Sequence, residues 1–262
     1  MNTNRLDKIR IVLVEPAGPL NVGSIARVMK NMGLQHLVIV NPQCDPLSEP
    51  ARIMAVHGVD ILESAQQVNS LPEALIGCQR AIATTARTRH LSTPLESPKT
   101  ILPKLLQENL PSALIFGPED RGLSNTELNY AQWFLRIPSN PNYPSLNLAQ
   151  SVAVCAYELY HTASAPIKPS EETEIQNIAT LDMLEGYYQH LERVLLQMGY
   201  LYPHTTTARM EKFRQVYNRA SLTPEELALL RGILGHTEWL LQHLPPISSL
   251  KSNKKPSDSE QP

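Results

Sequence analysis

The sequence is poor in the features that mark membrane, secreted and metal-binding proteins. No apolar run approaches the ~20 residues that a membrane-spanning helix requires. The first ten residues, MNTNRLDKIR, contain no apolar segment of the secretory type. The three cysteines, Cys44, Cys78 and Cys155, lie far apart and form no CxxC pair. We therefore expect a cytoplasmic protein with free thiols, no membrane segment and no metal site.

An excess of one charge and the common nucleotide-binding signatures are absent too. The 23 Lys and Arg residues nearly balance the 25 Asp and Glu residues, which gives a net charge of -2. This balance argues against a protein that coats nucleic acid through bulk charge, although it leaves room for a local basic patch. There is no GxGxxG after a predicted strand, no GxxxxGK[ST] and no HExxH. Any ligand-binding loops must therefore be of another kind.

Residues 1–163 alternate short apolar segments with helical patterns. We predict strands at 9–15, 36–40, 80–86, 112–117 and 133–138, and helices at 21–32, 50–57, 71–77, 99–107 and 146–160. Pro103 interrupts the fourth of these helices, and Gly33 is the expected C-cap of the first. This alternation predicts an α/β unit with a parallel sheet covered on both faces. Ligands of such folds bind at the carboxyl ends of the strands.

The strand signal stops after a Pro-rich and charged stretch, which we predict as a linker at 164–172. Residues 173–244 are then predicted as a small helical unit. Apolar residues at 3–4 spacing indicate a helix from Leu181 to Met198, a shorter one around Phe213 and a third that starts with a capping box at Thr223. The polar tail at 245–262 is predicted to be disordered.

Residues 19–28, PLNVGSIARV, are typical of a helix start with a cation close behind it. Asn21 is a candidate N-cap, and Gly23 precedes Arg27 by one turn. Helical side chains lean toward the N-terminus, so Arg27 reaches back over Gly23, where a small residue leaves room for the guanidinium. With the free N–H groups of the first turn, this arrangement favours a phosphate site. The alternative is a capped helix with an ordinary surface arginine.

Two loops that follow predicted strands have unusual compositions. FGPEDRGLS (116–124) ends in a Ser124–Glu127 capping box, and its glycines suit a tight turn with an accessible main chain. IPSNPNYPSLNLAQ (137–150) is a long polar loop before an apolar helix, for which Ser145 or Asn142 is the candidate cap. The alternatives are a plain strand–helix connection for the first loop and a rigid proline loop for the second.

Two basic stretches are candidates for contact with RNA. ATTARTRHLS (83–92) places Arg87 and Arg89 just after the end of a predicted strand. The stretch 209–219 contains four cations and one carboxylate, a net charge of +3, with Lys212 and Arg214 as the central candidates. The alternative for both stretches is solvated surface charge.

Taken together, these stretches resemble the SPOUT class of RNA methyltransferases. NVGSIAR resembles the first motif of the class, N-x-G-x-x-x-R, and GPEDRG resembles the second, G-x-E-x-x-G. IPSNPNYPSLNLAQSVAV resembles the third, so all three motifs occur in order within 21–154. ATTARTR, MGYLYPH and YNRASLTPEELALLRGIL extend the resemblance, over 8–243, to the TrmJ branch of tRNA (cytidine/uridine-2'-O)-methyltransferases.

The resemblance implies properties that periodicity does not reveal. The carboxyl half of the sheet would be tied in a trefoil knot, an exception to the rule that chains avoid knots. S-adenosyl-L-methionine would bind bent in the knot, held largely by backbone groups. The enzyme would be a homodimer with active sites near the interface, and the C-terminal helices would help to hold tRNA. The reaction would be 2'-O-methylation of cytidine or uridine at nucleotide 32 of the anticodon loop.

Site residues carry over from the motifs one by one. Arg27 and Ser145 are the catalytic candidates, with Asn21 shaping the loop, while Glu119 and Asn147 would be structural or cofactor-shaping. The cofactor-binding candidates are Thr84, Thr85, Ala86, Gly117, Ile137, Ser145 and Leu146.

The chain departs from its relatives at two positions, both of which bear on the expected contacts. Pro118 replaces a common arginine, and Pro144, which has no N–H, replaces a small hydroxyl residue. Two other functions remain open from the sequence: methylation of another RNA such as ribosomal RNA, and a non-catalytic RNA-binding protein of the same fold. Intact first and third motifs speak against the second of these, because a binding module would not need them.

Overall fold

A parallel sheet forms the centre of the computed structural model, which describes residues 5–86, 94–165 and 177–243. Its strands follow the order β3-β2-β1-β6-β4-β7-β5, and each pair of neighbours runs parallel. The strands are β1 (Ile9–Val14), β2 (His36–Val40), β3 (Gln66–Val68), β4 (Arg80–Thr84), β5 (Leu95–Glu96), β6 (Ser112–Phe116) and β7 (Trp133–Leu135).

Helices cover both faces of this sheet. Two short 3-10 segments, Val56–Gly58 and Leu102–Asn109, continue the helices that precede them. The helices are α1 (Pro19–Asn31), α2 (Glu49–Ala55), α3 (Val59–Glu63), α4 (Leu71–Ala74), α5 (Pro98–Ile101), α6 (Asn125–Leu128), α7 (Leu148–Ser164), α8 (Leu181–Gln197), α9 (Thr206–Asn218) and α10 (Pro224–His243).

Each central strand sends alternate side chains into two different cores. In β1, Ile11 and Leu13 pack with α1 and α7, whereas Val12 and Val14 pack with α4 and α8. Successive side chains of a strand point to opposite faces, so a strand covered on both sides must be apolar throughout. This is why IRIVLV and HLVIV are continuous apolar runs, and it confirms the predicted α/β fold with a covered parallel sheet.

The C-terminal helices share the second of these cores with the sheet. Leu184 and Tyr188 of α8 belong to the same buried cluster as Val12 and Val38. The start of α8 is also tied to the turn before β4, because the Leu181 N–H donates to the Cys78 carbonyl over 2.7 Å. The helical region therefore covers one face of the sheet as well as packing on itself.

The predicted strands and longer helices are present, and two short strands were missed. β3 and β5 have three and two residues, too few for an alternating pattern to be recognised, and they lie at the two edges of the sheet. All three cysteines are free, as predicted. Among the helices of the described ranges, none is long and apolar enough to cross a membrane. The predicted tail and most of the predicted linker lie outside the described residues.

Two predicted N-caps are wrong, although three other helix signals are confirmed. α1 begins at Pro19 after Gly18, so Asn21 is its third residue; proline is favoured at the first helical position because its φ is preset. Asn147, rather than Ser145 or Asn142, caps α7, accepting the N–H groups of Ala149 and Gln150. Gly33 ends α1 as predicted, with φ +70° directly after the C-cap residue Met32, and the structure contains the capping boxes at Ser124 and Thr223.

Gly23 has a different role from the one that the sequence indicated. It is buried, and a Cβ at this position would lie 2.1 Å from the carbonyl oxygen of Ala51 and 2.9 Å from Cβ of Met54. The missing side chain therefore permits close packing of α1 on α2. The expectation that Gly23 leaves room for the Arg27 guanidinium is corrected accordingly.

We expect Gly23→Ala to destabilise the fold, because the new methyl group would overlap backbone atoms of α2. Overpacking of this kind costs about 1–3 kcal/mol or more. Urea denaturation followed by circular dichroism measures the change. Gly235→Ala on α10 is the matched control, because within the described ranges no atom outside the adjoining residues and the backbone of α10 lies within 4 Å of the place that its Cβ would take, and alanine favours a helix. Equal stability of Gly23→Ala and the wild type would contradict the packing role.

Candidate functional site

A pocket of about 370 Å³ opens at the carboxyl ends of β4, β6 and β7. Its position is that expected for a ligand site in a parallel sheet, close to the point where the strand order reverses. Every residue predicted to bind a cofactor lies on its wall: Thr84, Thr85, Ala86, Gly117, Ile137, Ser145 and Leu146. Three loops that are distant in sequence thus meet around one cavity, while the contacts of these residues with a ligand remain a prediction.

The rest of the pocket wall combines apolar side chains with the loop after β6. Phe116, Leu135 and Leu148 supply buried apolar surface, and Pro118 and Pro144 are both part of the wall. Because proline has no N–H, those two positions offer a ligand only carbonyl oxygens and ring carbons. The sequence analysis had identified these two prolines as differences from the family motifs. It did not predict that Phe116 and Leu135 line the pocket, because in the sequence they look like any other apolar strand residue.

A chain of hydrogen bonds beside the pocket joins the loops after β6 and β7 through the first turn of α1. The Asn21 side-chain amide donates to Oε1 of Glu119 over 2.8 Å, and Oδ1 of Asn21 accepts the amide of Asn147 over 3.0 Å. Asn147 in turn caps α7. Asn21, Glu119 and Asn147 come from the first, second and third motifs respectively, so this Glu119–Asn21–Asn147 chain fixes the relative positions of all three.

Glu119 also accepts hydrogen bonds from the backbone of the segment before α1. The Ala17 N–H donates to Oε2 over 3.0 Å, and the Gly18 N–H donates to Oε1 over 3.1 Å. Partial burial raises the pKa of Glu119, but the hydrogen bonds from Ala17, Asn21 and Gly18 outweigh this, so the pKa is lowered from its ordinary value. The carboxylate is therefore the form that the structure stabilises.

Arg121 holds the loop after β6 from its other side. Its guanidinium donates to Oε2 of Glu15 over 2.7 Å and to both carboxylate oxygens of Glu127 over 2.9 and 3.0 Å. The hydrogen bonds to Glu127 and Glu15 raise the pKa of Arg121. Glu15 follows β1 and Glu127 belongs to the capping box of α6, so one cation connects the ends of two elements.

The loop after β6 also folds tightly on itself. A Cβ at Gly117 would lie 2.3 Å from the nitrogen of Leu123 and 2.4 Å from the carbonyl carbon of Gly122. Gly122 adopts φ +63°, a conformation that favours glycine. Both glycines of the GPEDRG motif are thus required by backbone geometry, and the chain between them lines the pocket.

The threonine and serine residues near the pocket differ in whether their polar groups are free to bind a ligand. Thr84 donates its hydroxyl to the carbonyl of Ile115 over 3.0 Å and so serves the sheet. Thr85 uses its backbone N–H on the carbonyl of Leu135 over 2.9 Å. Ser145 is exposed, and its hydroxyl has no hydrogen-bond partner within the part of the chain that the structure describes. Ser145 is therefore placed to meet a ligand or substrate.

Arg27 lies on α1 outside the wall of this pocket. Its side chain is exposed and, over the described ranges, has no hydrogen bond or ion pair. A Cβ at Gly58 would lie 3.0 Å from the Arg27 nitrogen, so the backbone at Arg27 packs against the turn before α3. The structure thus brings Asn21 to the pocket region through its hydrogen bonds but leaves Arg27 as an uncompensated cation beyond it.

The predicted RNA-binding residues have three different outcomes. Arg87 and Arg89 lie outside the described residues. Lys212 is exposed on α9. Arg214 instead forms a two-bond ion pair with Glu185, at 2.6 and 2.9 Å, and lies 4.5 Å from the ring centre of Tyr188. Its charge is compensated inside the fold, which does not favour the assignment of Arg214 to RNA, and that assignment stays a prediction.

Two family models match the chain. Residues 8–157 match the SpoU rRNA Methylase family, and residues 182–246 match the C-terminal domain of the tRNA methyltransferase TrmJ. The first match contains the whole pocket wall and the Glu119–Asn21–Asn147 chain. The second contains α8, α9 and α10 except for the first residue of α8.

Similar proteins cover nearly the same length. The tRNA (cytidine/uridine/adenosine-2'-O-)-methyltransferase TrmJ of Pseudomonas aeruginosa (strain UCBPP-PA14) is 41% identical over an alignment of 250 residues, and the match covers 91% of this chain and 97% of the relative. The tRNA (cytidine/uridine-2'-O-)-methyltransferase TrmJ of Escherichia coli (strain K12) is 40% identical over 237 residues, 89% and 96% of the two chains.

Solved structures show the same architecture. The crystal structure of TrmJ from Z. mobilis ZM4 has a TM-score of 0.78 at 29% identity, covering 87% of this chain and 98% of that one. A putative methylase family protein from Neisseria gonorrhoeae has a TM-score of 0.63 at 34% identity, covering 71% and 95%.

We expect Glu119→Gln to weaken the Glu119–Asn21–Asn147 chain. The NH2 group of glutamine cannot accept a hydrogen bond, so it would replace an oxygen that now accepts hydrogen bonds from N–H groups. The pKa of Glu119 is lowered in the fold, so its ionisation contributes stability above its ordinary value of 4.5. That contribution is lost as the pH falls through the lowered pKa. Denaturation at several pH values should therefore show a deficit of the variant that is largest near neutral pH and shrinks below about pH 4.5.

Asp120→Asn is the matched control for this experiment. Asp120 is the next residue of the same loop, and its side chain accepts only the Arg121 N–H among the groups that the structure describes. We expect the free energy of unfolding of this control to stay within ~0.5 kcal/mol of the wild type. A Glu119→Gln deficit that does not change with pH would contradict the role of the ionised carboxylate.

Proposed function

The chain belongs to the SpoU rRNA Methylase family, in its TrmJ branch, and we propose that it transfers a methyl group from S-adenosyl-L-methionine to a ribose 2'-hydroxyl of tRNA. The observation that carries this proposal is the pocket at the strand ends, walled by the loops after β4, β6 and β7, of which the last two are held together by the Glu119–Asn21–Asn147 chain. The target that we propose is the cytidine or uridine at nucleotide 32. A loop nucleotide exposes its ribose more readily than a base-paired one.

The pocket suits S-adenosyl-L-methionine in size and in chemistry. Its volume of about 370 Å³ falls in the range of small-molecule sites. Leu135, Ile137 and Leu146 supply apolar surface for an adenine ring, and Ser145 has a free hydroxyl within the described residues. The tight turn from Gly117 to Gly122 supplies backbone polar groups along the wall. When bound, S-adenosyl-L-methionine supplies a methyl group that its sulfonium activates for transfer.

The protein must orient the ribose hydroxyl and provide a route for its proton. Arg27 is an exposed cation without an internal partner in the described ranges, which suits it to hold the phosphate beside the target ribose. A guanidinium stays protonated and therefore does not act as the base. The proton passes to an oxygen, either that of Ser145 or that of the neighbouring phosphate. Positioning of this kind is a large part of catalysis in transfer reactions.

A homodimer accounts for the position of Arg27 outside the pocket of its own chain. α1 contacts both α2 and α7, and these helices, with the 3-10 turn after α2, expose apolar side chains that a partner subunit would cover. We define this α1–α2–α7 surface by Leu20, Ile53, Met54, Val56, Val154 and Tyr157. The proposed active sites lie near the interface that this surface forms.

The proposed domain organisation assigns catalysis to residues 1–163 and help with tRNA binding to 173–244, joined by a linker at 164–172. The family match at 182–246 supports the second assignment, and α8 shares a core with the sheet. A trefoil knot in the carboxyl half of the sheet is part of the proposal. Its support is the position of β6 between β1 and β4 and the tight return of the chain after Gly117.

We expect Arg27→Ala to lower kcat for methyl transfer by about 100-fold or more, because the ribose loses its orienting contact. The affinity for S-adenosyl-L-methionine should stay near normal, since Arg27 does not line the pocket. Transfer of tritiated methyl groups to total tRNA and calorimetric titration with the cofactor measure the two effects. Lys30→Ala on the same helix is the control, because its exposed ion pair with Asp60 contributes little. An unchanged kcat in Arg27→Ala would contradict the catalytic role.

The same assay tests the substrate and the route of the proton. Label that maps to nucleotide 32 of tRNA supports the proposal, whereas label in ribosomal RNA alone overturns the choice of tRNA. Absence of label in any RNA, despite cofactor binding, indicates a non-catalytic RNA-binding protein. Ser145→Ala separates the two proton routes: loss of kcat favours the serine, and a retained kcat favours the phosphate.

We expect Ile53→Glu combined with Tyr157→Glu to convert the dimer to monomers, since both side chains are more than half exposed and belong to the α1–α2–α7 surface. Burying two added carboxylates without partners would strongly oppose association. Gel filtration with light scattering measures the mass in solution. Ile233→Glu is the control, because Ile233 is similarly exposed on α10. A monomeric wild type would contradict the proposal.

A further inference from the structure

The turn between α8 and α9 presents two tyrosines to solvent. Tyr200 is 53% exposed and Tyr202 is 54% exposed, although the residue between them is buried. His204 and Arg209 are exposed beside them. We call these four residues the tyrosine turn. Its first three residues lie within MGYLYPH, a segment that the pocket and the proposed chemistry leave unused.

Backbone hydrogen bonds hold this turn in one conformation. Gly199 follows α8 with φ +71°, and the Tyr200 N–H donates back to the carbonyl of Leu195 over 3.0 Å. Leu201, between the two tyrosines, is only 2% exposed and fixes the turn to the core. The Tyr202 carbonyl accepts the N–H of Thr205 over 2.8 Å, just before α9 begins. The two rings are thus held outward by the fold around them.

Each exposed ring has a basic or aromatic neighbour. The Arg209 guanidinium carbon lies 5.3 Å from the ring centre of Tyr200, and its Nη1 donates to the Tyr200 carbonyl over 2.9 Å. The rings of Tyr202 and His204 are stacked, with centres 6.0 Å apart and planes 22° apart. Two aromatic faces and a fixed cation therefore lie along one short turn.

The surrounding charge is positive. Lys212 and Arg219 are exposed on or just after α9, and Glu211 is the one carboxylate between 203 and 219. Arg214 adds no free charge because it pairs with Glu185. Aromatic rings that alternate with cations bind unpaired nucleotides, since bases stack on the rings and phosphates meet the cations. A protein partner that binds through apolar contacts alone would form no favourable interaction with these cations.

We propose that the tyrosine turn binds unpaired nucleotides of RNA, with Tyr200 and Tyr202 stacking on bases and Arg209 contacting a phosphate. The inference rests on the proposed function for the identity of the RNA, which is the tRNA substrate. It adds a stacking site, distinct from the pocket at the strand ends, that contributes to substrate affinity. Loss of this site raises KM for tRNA and leaves kcat at saturating tRNA unchanged.

Fluorescence anisotropy with labelled oligouridine and with labelled tRNA tests the proposal on the whole chain. Tyr200→Leu and Tyr202→Leu keep apolar bulk but remove the ring, so each should weaken binding by about tenfold. Tyr200→Phe and Tyr202→Phe keep the ring and should bind as the wild type does. Arg209→Gln should weaken binding and reduce the slope of log K against log salt by about one, a change that the tyrosine variants should not produce.

Trp239→Leu is the matched control, because Trp239 is 52% exposed in the same helical region and stacks on His243. Wild-type affinity in the control, together with weakened binding in the two Tyr→Leu variants, supports the proposal. Unchanged binding by both Tyr→Leu variants overturns it. A change in oligomeric mass without a change in RNA affinity also overturns it, since the turn would then be a protein contact.

The binding measurements use neither the cofactor nor methyl transfer, so the two proposals fail separately. Normal RNA binding by the wild type without methylation of tRNA would count against the proposed function alone. Normal RNA binding by the Tyr→Leu variants of a methylating enzyme would count against the tyrosine turn alone.

Discussion

The arrangement of the site depends on one carboxylate and the amide that it holds. Glu119 accepts the N–H groups of Ala17 and Gly18 and the side chain of Asn21, and Asn21 then holds Asn147 at the cap of α7. Loops that start after β1, β6 and β7 are thereby fixed relative to one another. A polar network of this kind stabilises a single arrangement only while every member is satisfied. The shape of the pocket wall therefore depends on all of these hydrogen bonds being formed.

Arg121 completes the constraint from the opposite direction. It joins Glu15 at the end of β1 to Glu127 at the start of α6, while Gly117 and Gly122 allow the intervening chain to return on itself. The charged residues of GPEDRG therefore act mainly within the protein. Exposed cations that remain free in the described ranges, such as Arg27 and Lys212, are the ones left for a charged partner.

The local sequence pattern predicted the helices and strands. The roles of individual residues, in contrast, depend on contacts with residues that are distant in sequence. Apolar runs and capping boxes sufficed for the strands and for Ser124 and Thr223, because the interactions that define them lie within a few residues. The pocket wall came from resemblance to family motifs and not from periodicity. Gly23 was misjudged because its partner, Ala51, is distant in sequence, and the hydrogen bonds of Asn21 to Glu119 and of Arg214 to Glu185 have no local signal for the same reason. A free arginine and a paired one look alike in a sequence.

The shared second core limits how this protein can be divided in evolution. Val12, Val38, Ala81 and Ile115 of the sheet are buried in the same cluster as Leu184 and Tyr188 of α8. A lineage that lost the C-terminal helices would leave an apolar sheet face open to water, unless other substitutions made that face polar. The two segments that family models recognise separately therefore share one buried core in this chain, and each depends on the other to keep that core from water.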